Sequence, residues 1–303
     1  MKKIILLTTL AALIIACKES KSTPKIDADT EEWIPLFNGK DLNDWDIKIA
    51  GHQVGDNYNN TFRVEDSKIR VVYDEYETFD NAFGHIYYKT PFSYYKIKLD
   101  YRFVGDQVKG GEGWAKRNNG MMLHSQSAAS NSLGQNFPVS IEFQLLGGLS
   151  DGNERPTANL CTPGTTVEMN GKTIYDHCIS SNSKTYDGEQ WVHVEAIVMG
   201  SESMVHIVNN DTVMVYQNIK IGVGDPNSDK VAEWKAFGAD SLDEWLAKDG
   251  KPLDKGYIAL QAESSPTDFK NIQLLNLCGC MDKKAKNYKS YFVKEDNSKC
   301  LYE

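Results

Sequence analysis

GMMLHSQSAASNSLGQNFPVSIEFQLLGG, residues 120–148, is the stretch from which the rest of the chain is best read. Its second half alternates strictly. Val139, Ile141, Phe143 and Leu145 point one way, and Ser140, Glu142, Gln144 and Leu146 point the other. A period of two is the signature of a strand with one face in a core. The other face then carries a carboxylate and an amide two residues apart. Upstream, Met121 and Leu123 alternate with Met122, His124 and Gln126, so a second strand is expected to offer an imidazole. A titratable base, a carboxylate and an amide on one sheet face form a candidate site, and the remaining segments are expected to build its walls.

Those segments read as strands almost throughout. Tyr95, Ile97, Leu99, Tyr101 and Phe103 alternate with Lys96, Lys98, Asp100 and Arg102. Residues 191–199 predict a strand, and 204–216 a hairpin turning at Asn209-Asn210-Asp211. In that region His193 and His206 are expected to face away from the apolar side. Residues 61–72 predict a hairpin, and 33–45 a strand and turn at Asn38-Gly39. From Gly256 onward, Tyr257, Ala259, Gln261 and Glu263 alternate with Ile258, Leu260 and Ala262, which repeats the amide–carboxylate spacing of Gln144 and Glu142. Two segments break the pattern. Residues 147–188 read as a long loop or lid, and 224–250 as one short helix capped at Asp240-Ser241 and stopped by Gly250. About a dozen short strands at this spacing, with no internal repeat, predict an all-β, two-sheet jelly-roll sandwich.

Composition narrows the function. A net charge of −9 without a basic cluster argues against nucleic acid as a partner. Lys2 and Lys3 precede an apolar run, Ile4 to Ile15, that is too short to span a bilayer. The run ends Ile14-Ile15-Ala16-Cys17, which resembles a bacterial lipobox, and Lys18-Glu19-Ser20 resembles the export tag of Bacteroidota surface lipoproteins. Residues 1–17 are thus expected to be a lipoprotein signal peptide with Cys17 lipidated. The expected location is the bacterial cell envelope, as an outer-membrane lipoprotein facing the periplasm or the surface. Residues 18–31 are polar, without a hydrophobic period, and read as a flexible tether. Cys161, Cys178, Cys278, Cys280 and Cys300 remain, an odd number in an oxidising compartment. Cys161 and Cys178 lie close within one loop-rich region and are the expected pair.

Several segments together resemble the 3-keto-disaccharide hydrolase domain family: LFNGKDLNDW (36–45), NNGMMLHSQ (118–126), FPVSIEFQLLGG (137–148), DGEQWVHVEAIV (187–198), and GYIALQAES with DFKNIQLLNL (256–277). The resemblance spans the 32–277 domain in order and implies a concanavalin-like jelly roll acting on glycosides oxidised to a ketone at C3. At one position the chain departs from the pattern. Ser265 stands where relatives often carry His, which speaks against a base there. The tail, residues 278–303, is similar to a short module at the ends of exported Bacteroidota proteins, with the pattern C-x-D-x-x-A-x-N-Y and a closing Cys. That resemblance pairs Cys280 with Cys300 and leaves Cys278 as the odd thiol.

A C3 ketone acidifies the C2 proton. A base removes it, the enolate expels the C1 substituent, and water adds later. Such a site needs a base, donors for the enolate oxygen and an acid for the leaving group. His124 suits the base by its near-neutral titration, or Glu142 is the base with His124 as acid. Gln144, Asn119 and Gln261 are candidates for holding hydroxyls or the enolate, Arg117 or Lys116 for stabilising negative charge, and Glu263 completes the polar face. No cofactor is required, although carboxylates and His on one face are also a pattern that binds a divalent metal such as Ca²⁺. The expected partners are a 3-keto-glycoside and, through the lipid anchor, a membrane. Two other readings stay open: a non-catalytic carbohydrate-binding jelly roll, and a conventional glycosidase with a carboxyl pair.

Overall fold

The computed structural model describes residues 28–302. Two antiparallel sheets face each other, as the alternating strands require. In the larger sheet the spatial order is Lys172–Ile174, Thr165–Met169, Asp211–Ile221, Ser203–Val208, Val192–Met199, Tyr94–Phe103, Thr267–Asn276, Lys68–Val71 and Phe62–Glu65. Ile34–Pro35 adds to the Thr267–Asn276 strand. The smaller sheet runs Cys178–Ile179, Asn159–Cys161, Ile141–Leu146, Asn118–Ser125, Gly256–Ala262, Gly84–Phe92 and Trp45–Ile49. Sequence-distant strands lie side by side in both, as a jelly roll demands. The core lies between the sheets. Met121, Leu123, Ile141, Phe143, Leu145, Ile258 and Leu260 enter it from one side, and Tyr95, Ile97, Leu99, Tyr101 and Phe103 from the other.

Several expectations are refined. The 224–250 insertion holds two helices, Lys230–Ala236 and Leu242–Lys248, where one was expected. The Asp229 carboxylate caps the first by accepting from Val231 and Ala232 N–H. Trp234 stacks on Trp245 at 5.4 Å, and both join the main core. Residues 147–188 are not one loop. They contribute Asn159–Cys161, Thr165–Met169, Lys172–Ile174 and Cys178–Ile179, strands too short to show a period. His193 points outward to Asp100, as expected. His206 does not: it is buried, stacks on Phe143 at 4.0 Å, and bonds Tyr216 Oη at 2.8 Å. On its strand Met204 and Val208 face the core, and Val205 and Ile207 lie on the half-buried outer side.

Disulfides join Cys161 to Cys178 and Cys280 to Cys300, and Cys278 is free. The expected signal peptide with Cys17 lies outside the described residues, as do residues 18–27 of the expected tether. Its last residues, 28–31, are held: Ala28 O accepts from Ser290 N, and Glu31 accepts from Lys96 Nζ and Trp33 Nε1. Next to them, Glu32 pairs with Lys289 at 2.5 Å. The C-terminal module thus docks against the entry to the sandwich.

Candidate functional site

The outer face of the smaller sheet carries the polar residues, and register fixes their order. Gly120 lies opposite Gln144, and Met122 opposite Glu142. On the far side of the Ile141–Leu146 strand, Asn159 partners Gln144, and Cys161 partners Glu142. On the other flank, Ala259 pairs with Met122, so continuing the ladder sets Gln261 beside Gly120 and Glu263 beside Asn118. Gln261 in turn pairs with His85, and His85 with Lys48. One row therefore reads Lys48, His85, Gln261, Gly120, Gln144, Asn159.

Gly120 is the floor. A Cβ there would meet Glu142 Oε1 at 2.6 Å and its Cγ at 2.9 Å, so the carboxyl occupies the space that a side chain would fill. Glu142 is 5% exposed and Glu263 2%. Burial pushes the Glu142 carboxyl up to about 8. Glu263 is raised well above the usual carboxylate range by its own burial and by the Glu142 charge, while Arg155 opposes the rise. Two carboxyls so placed resist ionising together. Around them, both amide atoms of Gln261, Glu263 Oε2, Asn118 Oδ1 and His85 Nε2 are buried without a protein partner. Buried polar atoms are nearly always satisfied. A cluster of exceptions on one face is the mark of a surface shaped for a polar ligand.

A cover lies over part of this face. It is residues 126–139, not the 147–188 segment anticipated as a lid. Ala128 packs on Tyr87, Met122 and Ala259. Asn131 Nδ2 donates to Tyr87 Oη at 3.1 Å, and Lys48 Nζ donates to Leu133 O at 2.9 Å. Phe137 returns against Phe83 at 5.1 Å. The helical insertion braces the cover from outside, with Asp240 N donating to Ser132 Oγ at 2.9 Å. Gln144, half-buried and accepting from Asn159 Nδ2 at 2.9 Å, marks the open side.

Glu142, Gln144, Gln261 and Glu263 share this face, as their alternation predicts. Three other expected residues do not. His124 is turned into the core: its Nε2–H donates to Gly200 O at 3.2 Å, and its ring meets Tyr95 edge-on at 5.7 Å. The cause is a bulge. Tyr257 pairs with Ser125 but Ala259 with Met122, which leaves one extra residue on the His124 strand. His124 sits at φ 51°, and its carbonyl carbon would lie 2.2 Å from a Cβ on Gly256. Burial pushes its imidazole down to about 4. Asn119 also faces inward, donating to Thr267 Oγ1 at 3.2 Å, because it shares parity with Met121. Arg117 turns its guanidinium to Gly188 O at 2.7 Å and braces a loop. Ser265 is structural, accepting from Arg117 N and donating to Ala115 O.

Sequence reasoning missed His85, Asn118 and Arg155. His85 and Tyr87 alternate with Gly84 and Ile86, a readable signal in GHIYYKTPF. Burial and the Lys48 charge push His85 down to about 3, so its imidazole is neutral. Asn118 shows only in the alternation with Gly120 and Met122. Arg155 had no signal. It sits in a loop and is placed by donating to Arg117, Gly147 and Lys116 carbonyls. Among the described residues, no three His, Cys, Asp or Glu side chains group closely enough to hold a metal ion.

Comparison with known proteins adds the family. Two proposed glycosyl hydrolases of Parabacteroides distasonis share 18% and 20% identity, each over 81% of this chain and over 100% and 94% of theirs, with TM-scores of 0.46 and 0.44. A carbohydrate-binding module of Bacillus subtilis shares 10% over 64% of this chain and 82% of its own, with a TM-score of 0.36. Such scores report a likeness only, and the jelly-roll assignment rests on the sheet order. No curated protein matches. A family model does, over residues 32–275, and the chain belongs to the 3-keto-alpha-glucoside-1,2-lyase-like domain family.

Proposed function

We propose that the protein cleaves glycosides bearing a ketone at C3, by proton abstraction at C2 followed by loss of the C1 substituent. The observation that supports this most is the coupled pair of buried carboxyls, Glu142 and Glu263, on a face rich in unpartnered amide and imidazole groups. In this reading the two carboxyls, both raised by burial, share one proton, with Glu142 as the base and Glu263 as the acid. In its ionised form Glu142 takes the C2 proton. The C–H electron pair becomes the C2–C3 enolate, whose oxygen is stabilised by donors on the same face. Gln261 supplies an amide N–H, and neutral His85 is suited to hydrogen bonding without competing for the proton. Glu263, still protonated, gives its proton to the C1 oxygen as that bond breaks. The products are an alcohol and an unsaturated keto sugar, to which water adds if the outcome is hydrolysis. No resident cofactor enters these steps.

A burial-raised carboxyl is the right tool here. It is a stronger base than an ordinary carboxylate, and general acid–base catalysis is most efficient when the group titrates near the operating pH. A nitrophenyl glucoside offered beside its 3-keto analogue tests the reading. Turnover of the keto sugar alone supports it. Equal turnover of both supports the second reading, a conventional glycosidase, which also works through a carboxyl pair. The proposal extends to location, with lipidation at Cys17 holding the protein at the cell envelope. Cys17→Ser should release it from the membrane fraction, and unchanged fractionation would reject that part.

A further inference from the structure

We propose that Arg155 is a positioning residue for the acid: it holds a fixed cation at the Glu263 end of the site, beside the carboxylate that Glu263 becomes on giving up its proton. The inference rests on the reading of Glu142 as the base and Glu263 as the acid. Arg155 comes from the loop between Ile141–Leu146 and Asn159–Cys161, and its guanidinium is pinned at three points. Nη1 donates to Arg117 O at 3.0 Å and to Gly147 O, and Nη2 donates to Lys116 O at 2.8 Å. Its backbone N–H donates to Thr185 Oγ1 at 2.7 Å, so the chain that carries it is held as well. A planar fork on three carbonyls is a placement that an ammonium could not reproduce. All three acceptors are uncharged, and among the described residues the guanidinium forms no ion pair.

Register says where that charge stands. Lys116 and Arg117 lead into the Asn118–Ser125 strand, and Gly147 follows Ile141–Leu146. Asn118 lies beside Glu263 when the ladder is continued. Arg117 N–H donates to Ser265 Oγ at 2.7 Å, two residues beyond Glu263. Arg117 is thus bonded to Arg155 through its carbonyl and to the strand end of the acid through its N–H. The two charges act on each other accordingly. Burial and the Glu142 charge raise Glu263, and the Arg155 charge opposes them. Burial lowers Arg155, and the Asp151 and Glu263 charges oppose that.

Glu263 also faces Glu142, and Tyr73, which accepts from Ser264 N at 2.8 Å and is kept neutral by burial. Neutral His85 is on the neighbouring strand, Lys48 is one strand further out, and Arg117 sends its guanidinium to Gly188 O. A buried acid yields its proton reluctantly, because the carboxylate left behind is poorly solvated. A cation already in place stabilises that charge without rearrangement. When the Glu263 O–H bond breaks, the proton passes to the C1 oxygen and the negative charge stays near Arg155.

The test compares wild type with Arg155→Gln, which keeps an amide donor without charge, and Arg155→Lys, which keeps charge without the fork. One readout is the NMR titration of carbon-13-labelled glutamate carboxyls, with Glu263→Gln assigning the signal. The other is kcat/KM against pH for methyl and nitrophenyl 3-keto-glucosides. In Arg155→Gln the Glu263 carboxyl should titrate about one pH unit higher, and the alkaline limb of activity should move up with it. Cleavage of the methyl glucoside, whose leaving alcohol needs the proton, should fall by about tenfold. The nitrophenyl glucoside, which leaves as a stable anion, should change little, and Arg155→Lys should be intermediate in both readouts. An unmoved Glu263 titration in folded Arg155→Gln overturns the proposal. So does an equal loss on both glucosides with a fixed pH profile, which marks a loop clamp alone. If Arg155→Gln does not fold, Arg155→Lys decides: a loss larger for the methyl glucoside supports the role, and an equal loss or none overturns it. If wild type cleaves neither glucoside, the catalytic reading fails while the titration still decides whether Arg155 acts on Glu263.

Discussion

The Glu142 carboxyl lies over Gly120, where a side chain would otherwise sit, and burial there raises it to about 8, so the ionised fraction that can act as a base grows through neutral pH. The backbone of Gly120 is ordinary, so an alanine is tolerated there by the chain but not by the carboxyl. We expect Gly120→Ala to displace Glu142 and cut kcat by about tenfold or more, as loss of acid–base alignment does, with a native circular dichroism spectrum. Retention of full activity would show that the carboxyl need not sit there. The same burial links stability to pH. Glu142 is raised from 4.5 to about 8, so it binds more protons folded than unfolded. Its contribution is full below about 4.5 and is lost as pH rises through about 8. His85, His124 and His206 are lowered from 6.5 to about 3, 4 and 4; their contribution is present above 6.5 and lost as pH falls toward those values. Melting temperature should thus peak between the two limbs, near pH 6, and Glu142→Gln should reduce the alkaline limb, to which the buried Glu263 also contributes, while leaving the acid limb unchanged. A Glu142→Gln profile that overlays the wild type would refute this account of the alkaline limb.

At the level of elements, alternation was enough to assign the strands that carry Glu142, Gln144, Gln261 and Glu263 to one face. It fails where a single residue is inserted. The bulge between Met122 and Ser125 reverses the parity of His124, and nothing in GMMLHSQ announces it, because the insertion is visible only against Tyr257 on the neighbouring strand. Asn159–Cys161 and Cys178–Ile179 were illegible for a related reason: two or three residues cannot display a period, and pairing alone makes them strands. A cross-strand disulfide ties Asn159–Cys161 to Cys178–Ile179, Cys161 lying opposite Cys178 and also being the register partner of Glu142. A double Cys161→Ser, Cys178→Ser variant should lose roughly 3 kcal/mol by loop entropy, read by denaturant unfolding. It should also lose activity before it unfolds, since the strand beside Glu142 is then loose. An unchanged denaturation midpoint would show that the bridge adds nothing.

For the whole molecule, the sandwich supplies two different surfaces. The inner faces build the core, and the outer face of the smaller sheet is left to carry chemistry under the 126–139 cover. Residues 28–32 bond to the C-terminal module. The two-sheet architecture was legible because it follows from a period repeated over many strands. The cover and Arg155 were not, because a loop is placed by individual hydrogen bonds that leave no pattern in sequence. The central claim is that Glu142 removes the C2 proton of a 3-keto sugar, and a 3-keto-glucoside carrying deuterium at C2 tests it most directly. Wild type should cleave it more slowly than the unlabelled sugar and pass the label to water, while Glu142→Gln does neither. Cleavage at an undiminished rate with the deuterium retained at C2 would contradict the account.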